Sequence, residues 1–466
     1  MRVRYRNEEI EIPDSRVVER LSGHSLTGIQ DVQGVVTDAL TNPIGAETIT
    51  ELVDASSTVA IAVDSWERPT PTYKVMPALL QMLHSRGVKE SNVWIIVGNG
   101  IHSPLNAHKT ERQLGSDVVQ KYRIIQHQRF CLPRYGGDKR FGQDYVLEFI
   151  GFSSYGNPIW LNSEFLKADV KITIGIVGVN PMSGYSGSGK KIIPGVAGYD
   201  TINRNHNMCL APDPWYGREE NNPVRAEMDE AGKMAGLNFA ISLICSGRSY
   251  GTPGILQIDY EKVSIVDVVA GDPISSHKEA IERYKKHHGD PRRVKEKADI
   301  TIALNPPDMN VFHTMGWSLP NTGITTKAGG SIIYVSECND GFYCPGCLDM
   351  QTCQGYFLHN KDNEEVLREI AEGTIPGWIG PIVYWVNKTK RKSKEFFWVN
   401  SETPKIRPLD LKNSDLLTMG YIPETSFRKS YEKALQTQGK SAKVTILDPA
   451  GTPILAEGQF STYLDS

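Results

Sequence analysis

The side chains best suited to chemistry gather in a few short stretches of this 466-residue chain, each just after a run of β-branched residues. The densest is Gly184-Tyr-Ser-Gly-Ser-Gly-Lys190-Lys-Ile-Ile-Pro-Gly195. Its glycines expose backbone N–H groups and its two adjacent ammonium groups add positive charge, a combination that suits a phosphate. The spacing Gly184-x-x-x-x-Gly189-Lys190 satisfies most of a P-loop, but Lys191 stands where that motif needs Ser or Thr to hold Mg²⁺. A lysine here could also anchor a cofactor covalently; a flexible structural loop is the plain alternative. His206 follows in Asn203-Arg-Asn-His206-Asn and reads either as a metal ligand or as a satisfied polar residue.

Two further stretches are Asp64-Ser-Trp-Glu-Arg68-Pro-Thr-Pro and Gly98-Asn-Gly-Ile-His102. Arg68 presents a planar, permanently charged fork for a carboxylate or phosphate. His102 titrates near neutrality and suits a general base; the bland reading is a turn with a salt bridge and a solvated histidine. In Asn305-Pro-Pro-Asp308-Met-Asn310-Val-Phe-His313, Asp308 either faces a ligand or caps a helix from Met309. Cys338, Cys344, Cys347 and Cys353 could hold a tetrahedral zinc, remain free thiols, or include a redox pair in Cys344-Pro-Gly-Cys347.

These stretches need strands to carry them. Thr58–Val63, Val93–Val97, Ala168–Ile174 and Val263–Val269 are predicted strands, with helices over Pro77–Arg86 and Arg225–Met234. After a break at Gly271-Asp-Pro273 comes a charged helix from Ser276 to His287, then strands at Ala298–Ala303 and Ser331–Val335. Lys388–Lys394 reads as a solvated loop. The tail holds a helix over Phe427–Leu435 and a strand over Lys443–Leu447. Alternation of this kind is the α/β signature. It predicts an N-terminal α/β domain over residues 1–272, completed by 440–466, and a C-terminal α/β domain over 273–439. The net charge of -3 argues against nucleic acid. The lack of an 18-residue apolar run argues against a membrane span. The polar N-terminus and seven cysteines suggest a cytoplasmic, reduced setting.

Taken in order, the stretches resemble the lactate racemase family that uses a nickel-pincer nucleotide. The resemblance rests on Arg68-Pro-Thr-Pro71, Gly100-Ile-His102, Gly184 to Gly195, Asn205-His206, Ala270-Gly-Asp272, Asp308 to His313 and Thr374-Ile-Pro-Gly-Trp378. The glycine-lysine segment followed at fixed spacing by Asn-His is its specific part. The resemblance implies two α/β domains with the active site in the interdomain cleft, and a pyridinium bisthiocarboxylate mononucleotide carrying nickel. It places the covalent anchor on Lys190 with Ser186, Gly187 and Gly189 around it, the nickel ligand on His206, an acid/base on His102, the substrate carboxylate on Arg68, and a cofactor-facing aromatic on Trp378. It also implies cofactor-making enzymes as loading partners.

Departures from the family pattern bear on substrate. The second acid/base histidine, ten residues before the anchor, is Asn180 here; no cation stands in Thr314-Met-Gly316-Trp317; Ser65 replaces an acidic residue, with Asp64 beside it. These point to a racemase or epimerase of another 2-hydroxy acid or a polyol, with Asn180 and Asp308 as substrate contacts and His313 as the replacement proton relay. The rivals are a net oxidoreductase using the same cofactor and a non-catalytic nucleotide- or metal-binding protein.

Overall fold

The computed structural model describes residues 1–22, 26–65, 68, 70–102, 104, 107–130, 146–246, 263–289, 292–294, 296–305, 318–337, 361–400, 413–448 and 454–455. They fall into two compact units, both mixed α/β.

The first takes in residues 26–246 and 263–289. Its sheet is built from β1 (Val59–Asp64), β2 (Val93–Gly98), β3 (Arg123–Gln126), β4 (Val170–Ile176), β5 (Phe239–Cys245) and β6 (Ile265–Gly271). Their order is β6-β5-β4-β1-β2-β3. All neighbours are parallel except β5 and β6. β1 and β4 are buried throughout, as strands covered on both faces are, and are apolar apart from Asp64 in β1 and Lys171 and Thr173 in β4. Val63 lies opposite both Val97 and Ile174, and with Ile61, Ile95 and Ile172 it forms the core that the helix Met76–Ser85 covers.

Successive strands run to one side from β1 through β3 and to the other from β4. The two halves meet where β1 pairs with β4. In doubly wound sheets the crevice beyond the carboxyl ends at this switch point is where ligands bind. Three helices flank it: α1 (Tyr199–Asn207), α2 (Pro223–Met234) and α3 (Ser275–His288). α2 starts where its pattern requires, with Pro223 in the first turn and the Asn222 side chain accepting from Arg225 N at 3.2 Å.

Two interactions tie the loops at this end together. Asp64, the last residue of β1, is buried and pairs with the buried ammonium of Lys191. Its Oδ2 also accepts from Thr70 Oγ1 at 2.6 Å and from Ile176 N at 2.9 Å. Gly175 leaves the path open: a Cβ there would meet Lys191 Cε at 2.1 Å and Asp64 Oδ2 at 3.0 Å. Beyond β3, His127 is wholly buried; its Nε2 donates to Ala197 O at 2.9 Å and its Nδ1 accepts from the Asn162 amide at 3.3 Å.

The second unit takes in residues 1–22 and 292–455. Its parallel sheet runs Ile422–Glu424, Glu395–Val399, Thr326–Val335, Ala298–Leu304, Val444–Asp448, Val17–Ser22. Three expectations change here. The tail strand does not complete the first domain: Ile446 pairs with Ile302 on one side and Arg20 on the other, inside this second sheet. The first 22 residues also belong to this unit rather than to the first. The break at Gly271-Asp-Pro273 is a turn within the first unit, because α3 buries Ala280, Ile281 and Tyr284 there. In addition, Lys388–Lys394 is not a solvated loop. Its residues through Lys392 end the helix Gly380–Lys392, where Lys390 donates to Met419 O at 2.7 Å and burial lowers its pKa to about 8. Among the described residues no helix is long and apolar enough to cross a membrane.

Replacing Gly175 with alanine should drive Lys191 off Asp64 and leave buried charge uncompensated. Unfolding in urea should show a loss on the order of 3 kcal/mol; an unchanged midpoint would refute the role given to the pair. The buried histidines predict acid sensitivity. Burial, against the pull of the Ala197 carbonyl, lowers His127 to about 4. Burial with Lys190 nearby lowers His206 to about 3, and burial with Arg225 holds His277 well below its usual value. Unfolded histidines bind protons near pH 6.5, so the unfolded state takes them up first. The stabilisation is complete above about pH 6.5 and is lost as pH falls from there through about 4, at roughly 1.4 kcal/mol per histidine per pH unit. Unfolding free energies measured from pH 7 to 4.5 should fall steeply, and His127→Gln should flatten the slope.

Candidate active site

The Asp64–Lys191 pair separates two lysines that the sequence leaves equivalent. Lys191 is committed to Asp64. Lys190, its neighbour, is also buried, yet its ammonium has no ion pair or hydrogen bond among the described residues. Burial, then the charges of Arg68 and Lys191, lower its pKa to about 7, with Cys209 acting the other way. Near neutral pH Lys190 is therefore an amine about as often as an ammonium, the state in which lysine is nucleophilic.

The segment carrying Lys190 is held by its backbone. Ser186 Oγ donates to Ile176 O at 2.9 Å, and Ser186 N donates to Gly178 O at 2.8 Å. Gly187 adopts φ +109°, and a Cβ there would meet the His277 ring at 3.1 Å. A side chain at Gly189 would meet Met228 O and Asp229 Oδ1, both at 2.7 Å. Two residues that sequence reasoning missed, Arg225 and His277, hold the segment by its carbonyls. Arg225 on α2 donates to Gly187 O at 3.2 Å while its other nitrogens bond Asp229 at 3.0 and 2.7 Å. His277 on α3 lies 2.9 Å from Ser186 O. The contacting atom, Nε2, also lies 3.2 Å from Arg225 Nη1, and burial with the Arg225 charge holds the ring well below its usual pKa. An Arg-Asp pair four apart reads in sequence as a solvated helix face, and nothing marks His277 beforehand.

His206 lies on α1 and is buried, and its Nδ1 has no hydrogen-bond partner among the described residues. With its pKa near 3, lowered by burial and then by Lys190, the ring is neutral. A buried ring nitrogen without a partner is costly unless something supplies one. Lys190 and His206 thus share one environment in the first unit, with Arg68 acting on the same lysine. Cys209, three residues beyond His206, is buried too, and burial raises its thiol pKa.

Arg68 is half-buried in the turn after β1, its N donating to Ser65 O at 3.0 Å. His102 is half-buried in the turn after β2, where its N donates to Asn99 O at 2.8 Å and Gly100 N donates to Gly195 O at 3.0 Å. That second bond sets the His102 turn against the end of the lysine segment. Asn180 is buried, and its side-chain carbonyl accepts from Met182 N at 3.0 Å, Ser183 N at 2.9 Å and Ser183 Oγ at 3.1 Å. Its carbonyl therefore serves its own turn. Trp378 is buried in the second unit, ahead of the helix Gly380–Lys392. Asp308, His313, Cys338, Cys344, Cys347 and Cys353 lie outside the described residues. Among the described residues no group of three or more His, Cys, Asp or Glu could hold a metal by itself.

Comparison with known proteins agrees with the motif reading. A family model described as the lactate racemase N-terminal domain matches residues 4–215. A lactate racemase from Thermoanaerobacterium thermosaccharolyticum is 26% identical over 368 residues, covering 77% of this chain and 78% of the relative. One from Lactiplantibacillus plantarum is 25% identical over 438 residues, covering 91% of each. The solved lactate racemase apoprotein from T. thermosaccharolyticum superposes with a TM-score of 0.78 at 21% identity, over 98% of this chain and 99% of that one. A protein from Thermotoga maritima has the same fold at a TM-score of 0.63 and 14% identity, over 94% and 100%. In its motifs, in the match of residues 4–215 to the N-terminal domain model and in near full-length likeness, the chain is similar to lactate racemases.

Proposed function

We propose that this chain is an isomerase, a racemase or epimerase acting on a 2-hydroxy acid or a related hydroxyl-bearing carbon, and that it works with a nickel-pincer nucleotide. The observation that carries the reading is a buried Lys190 with no ion pair or hydrogen bond among the described residues, in the same buried environment as His206, whose Nδ1 has no hydrogen-bond partner among them. The named relatives, both lactate racemases, support the activity class.

The residues fit such a group. Lys190 would anchor it, the backbone of Ser186, Gly187 and Gly189 would cradle it, and His206 would offer nickel a lone pair, for which imidazole is well suited. When bound, the group supplies a reversible acceptor for hydride. The chain does the remaining work. Arg68 takes the substrate carboxylate through its fork. His102 removes the hydroxyl proton and returns it to the same oxygen. Cofactor-making enzymes would load the site.

One observation favours a second reading. With the Asn180 carbonyl turned into its own loop, the position where the family pattern has a second acid/base holds no proton carrier. A net oxidoreductase with one base, acting on a hydroxy acid or polyol, meets that constraint.

After co-expression with the cofactor-making enzymes, intact mass should show one adduct, mapped to Lys190, and about one nickel per chain. His206→Ala should keep the adduct and lose nickel; Lys190→Arg should lose both. Nickel bound without dependence on either residue would overturn the assignment. The loaded enzyme should interconvert enantiomers of a 2-hydroxy acid without added nicotinamide. Stoichiometric oxo acid with no second enantiomer would replace the racemase by the oxidoreductase. Arg68→Ala should cut kcat/KM by about 100-fold or more, the cost of leaving a buried carboxylate without its charged partner.

A further inference from the structure

His206 stands on a short helix whose rotation decides where its imidazole points. α1 is nine residues long, and its cap residue Gly198 has no side chain to bond the first turn. Two side chains four apart, Thr201 and Asn205, line one face of it. Thr201 Oγ1 donates to Pro158 O at 2.8 Å and accepts from Trp160 N at 2.9 Å, fixing the start of the helix to the hairpin of Leu147–Phe152 and Pro158–Asn162. Asn205 fixes its end. Its buried amide donates to Val224 O at 3.1 Å and to Glu227 Oε2 at 2.9 Å, both on α2. His206 is the next residue, about 100° further around the helix.

Glu227 is wholly buried, and among the described residues it forms no ion pair. Its other oxygen accepts from Ser153 Oγ at 2.6 Å and from the Asn157 amide at 2.8 Å, again from the hairpin. A buried carboxyl is expensive unless all its lone pairs are served, and here three neutral donors from two elements converge on it. We propose that Glu227 is a positioning residue: through Asn205 it sets the rotation of α1 and thereby the direction in which His206 presents its ring. α2 then acts as a common brace. Its Arg225 and Asp229 hold the backbone before Lys190, and its Glu227 holds the helix of His206. This explains why an asparagine precedes the histidine.

The inference rests on His206 being the nickel ligand, so the test reads the ring without nickel. In full-length apo protein with ring-labelled histidine, Glu227→Ala should move and broaden the His206 signal, assigned with His206→Gln. His127 and His277 should stay in place. Glu227→Gln, whose amide oxygen can still accept from Asn205, should restore the signal. Ser153→Ala, which removes a different bond to the same carboxyl, should leave it alone. If Glu227→Ala does not fold, Asn205→Ala should give the same displacement. In loaded enzyme challenged with a chelator, Glu227→Ala should lose nickel about 10–100-fold faster. An unmoved His206 signal in the folded variants, or equal movement of all three histidines, would overturn the positioning role. Wild-type protein that never takes up nickel would overturn the cofactor reading and leave the ring test standing.

Discussion

The Asp64–Lys191 ion pair is the constraint on which the rest of the site depends. It joins residues 127 apart in sequence, across the point where the two halves of the sheet diverge. Without it, Lys190, Lys191, Arg68 and Arg225 would bring like charge together in a region with little water. With it, Lys191 is neutralised and rigid, while Lys190 is left among cations it can relieve only by losing a proton. A pair of this kind is worth little compared with an apolar substitute of similar size, but breaking it strands a charge. Its use here is specificity, since it decides which of two adjacent ammonium groups stays available.

The same geometry explains the small residues. Gly175 interrupts the buried strand Val170–Ile176, against strand preference, because Lys191 must cross its face to reach Asp64. Gly187 takes a backbone angle that other residues resist, so that the His277 ring can occupy the space of its missing side chain. The loop is thus held through its carbonyls from α2 and α3, an arrangement that leaves the tip of Lys190 without an ion pair or hydrogen bond among the described residues.

Much of this was legible in the sequence and some was not, for one reason. Strands such as Val59–Asp64 and Val93–Gly98, and helices such as Met76–Ser85 and Ser275–His288, announce themselves by local period, so they appear within two residues of expectation. The loops that carry Arg68, His102 and Lys190 follow those strands and inherit their placement. Membership of a sheet is not local: the strand Val444–Asp448 looks the same whichever sheet accepts it, and the tail was placed with the wrong one. The helix end at Lys388–Lys392 was misread because its charges hide Thr389 and Lys390, both of which face inward. Arg225, Glu227 and His277 escape notice because the carbonyls, amides and hydroxyl they engage lie from 22 to 91 residues away. No spacing rule connects them.

Asn180 shows how a departure in one side chain becomes a property of a loop. Its carbonyl takes three donors within three residues, all of which would need new acceptors if the position changed. An imidazole there could not accept all three at once, since a neutral ring has one acceptor nitrogen. The turn of residues 180–183 is therefore built around an amide, and the side chain at position 180 carries no proton that it could exchange near neutral pH.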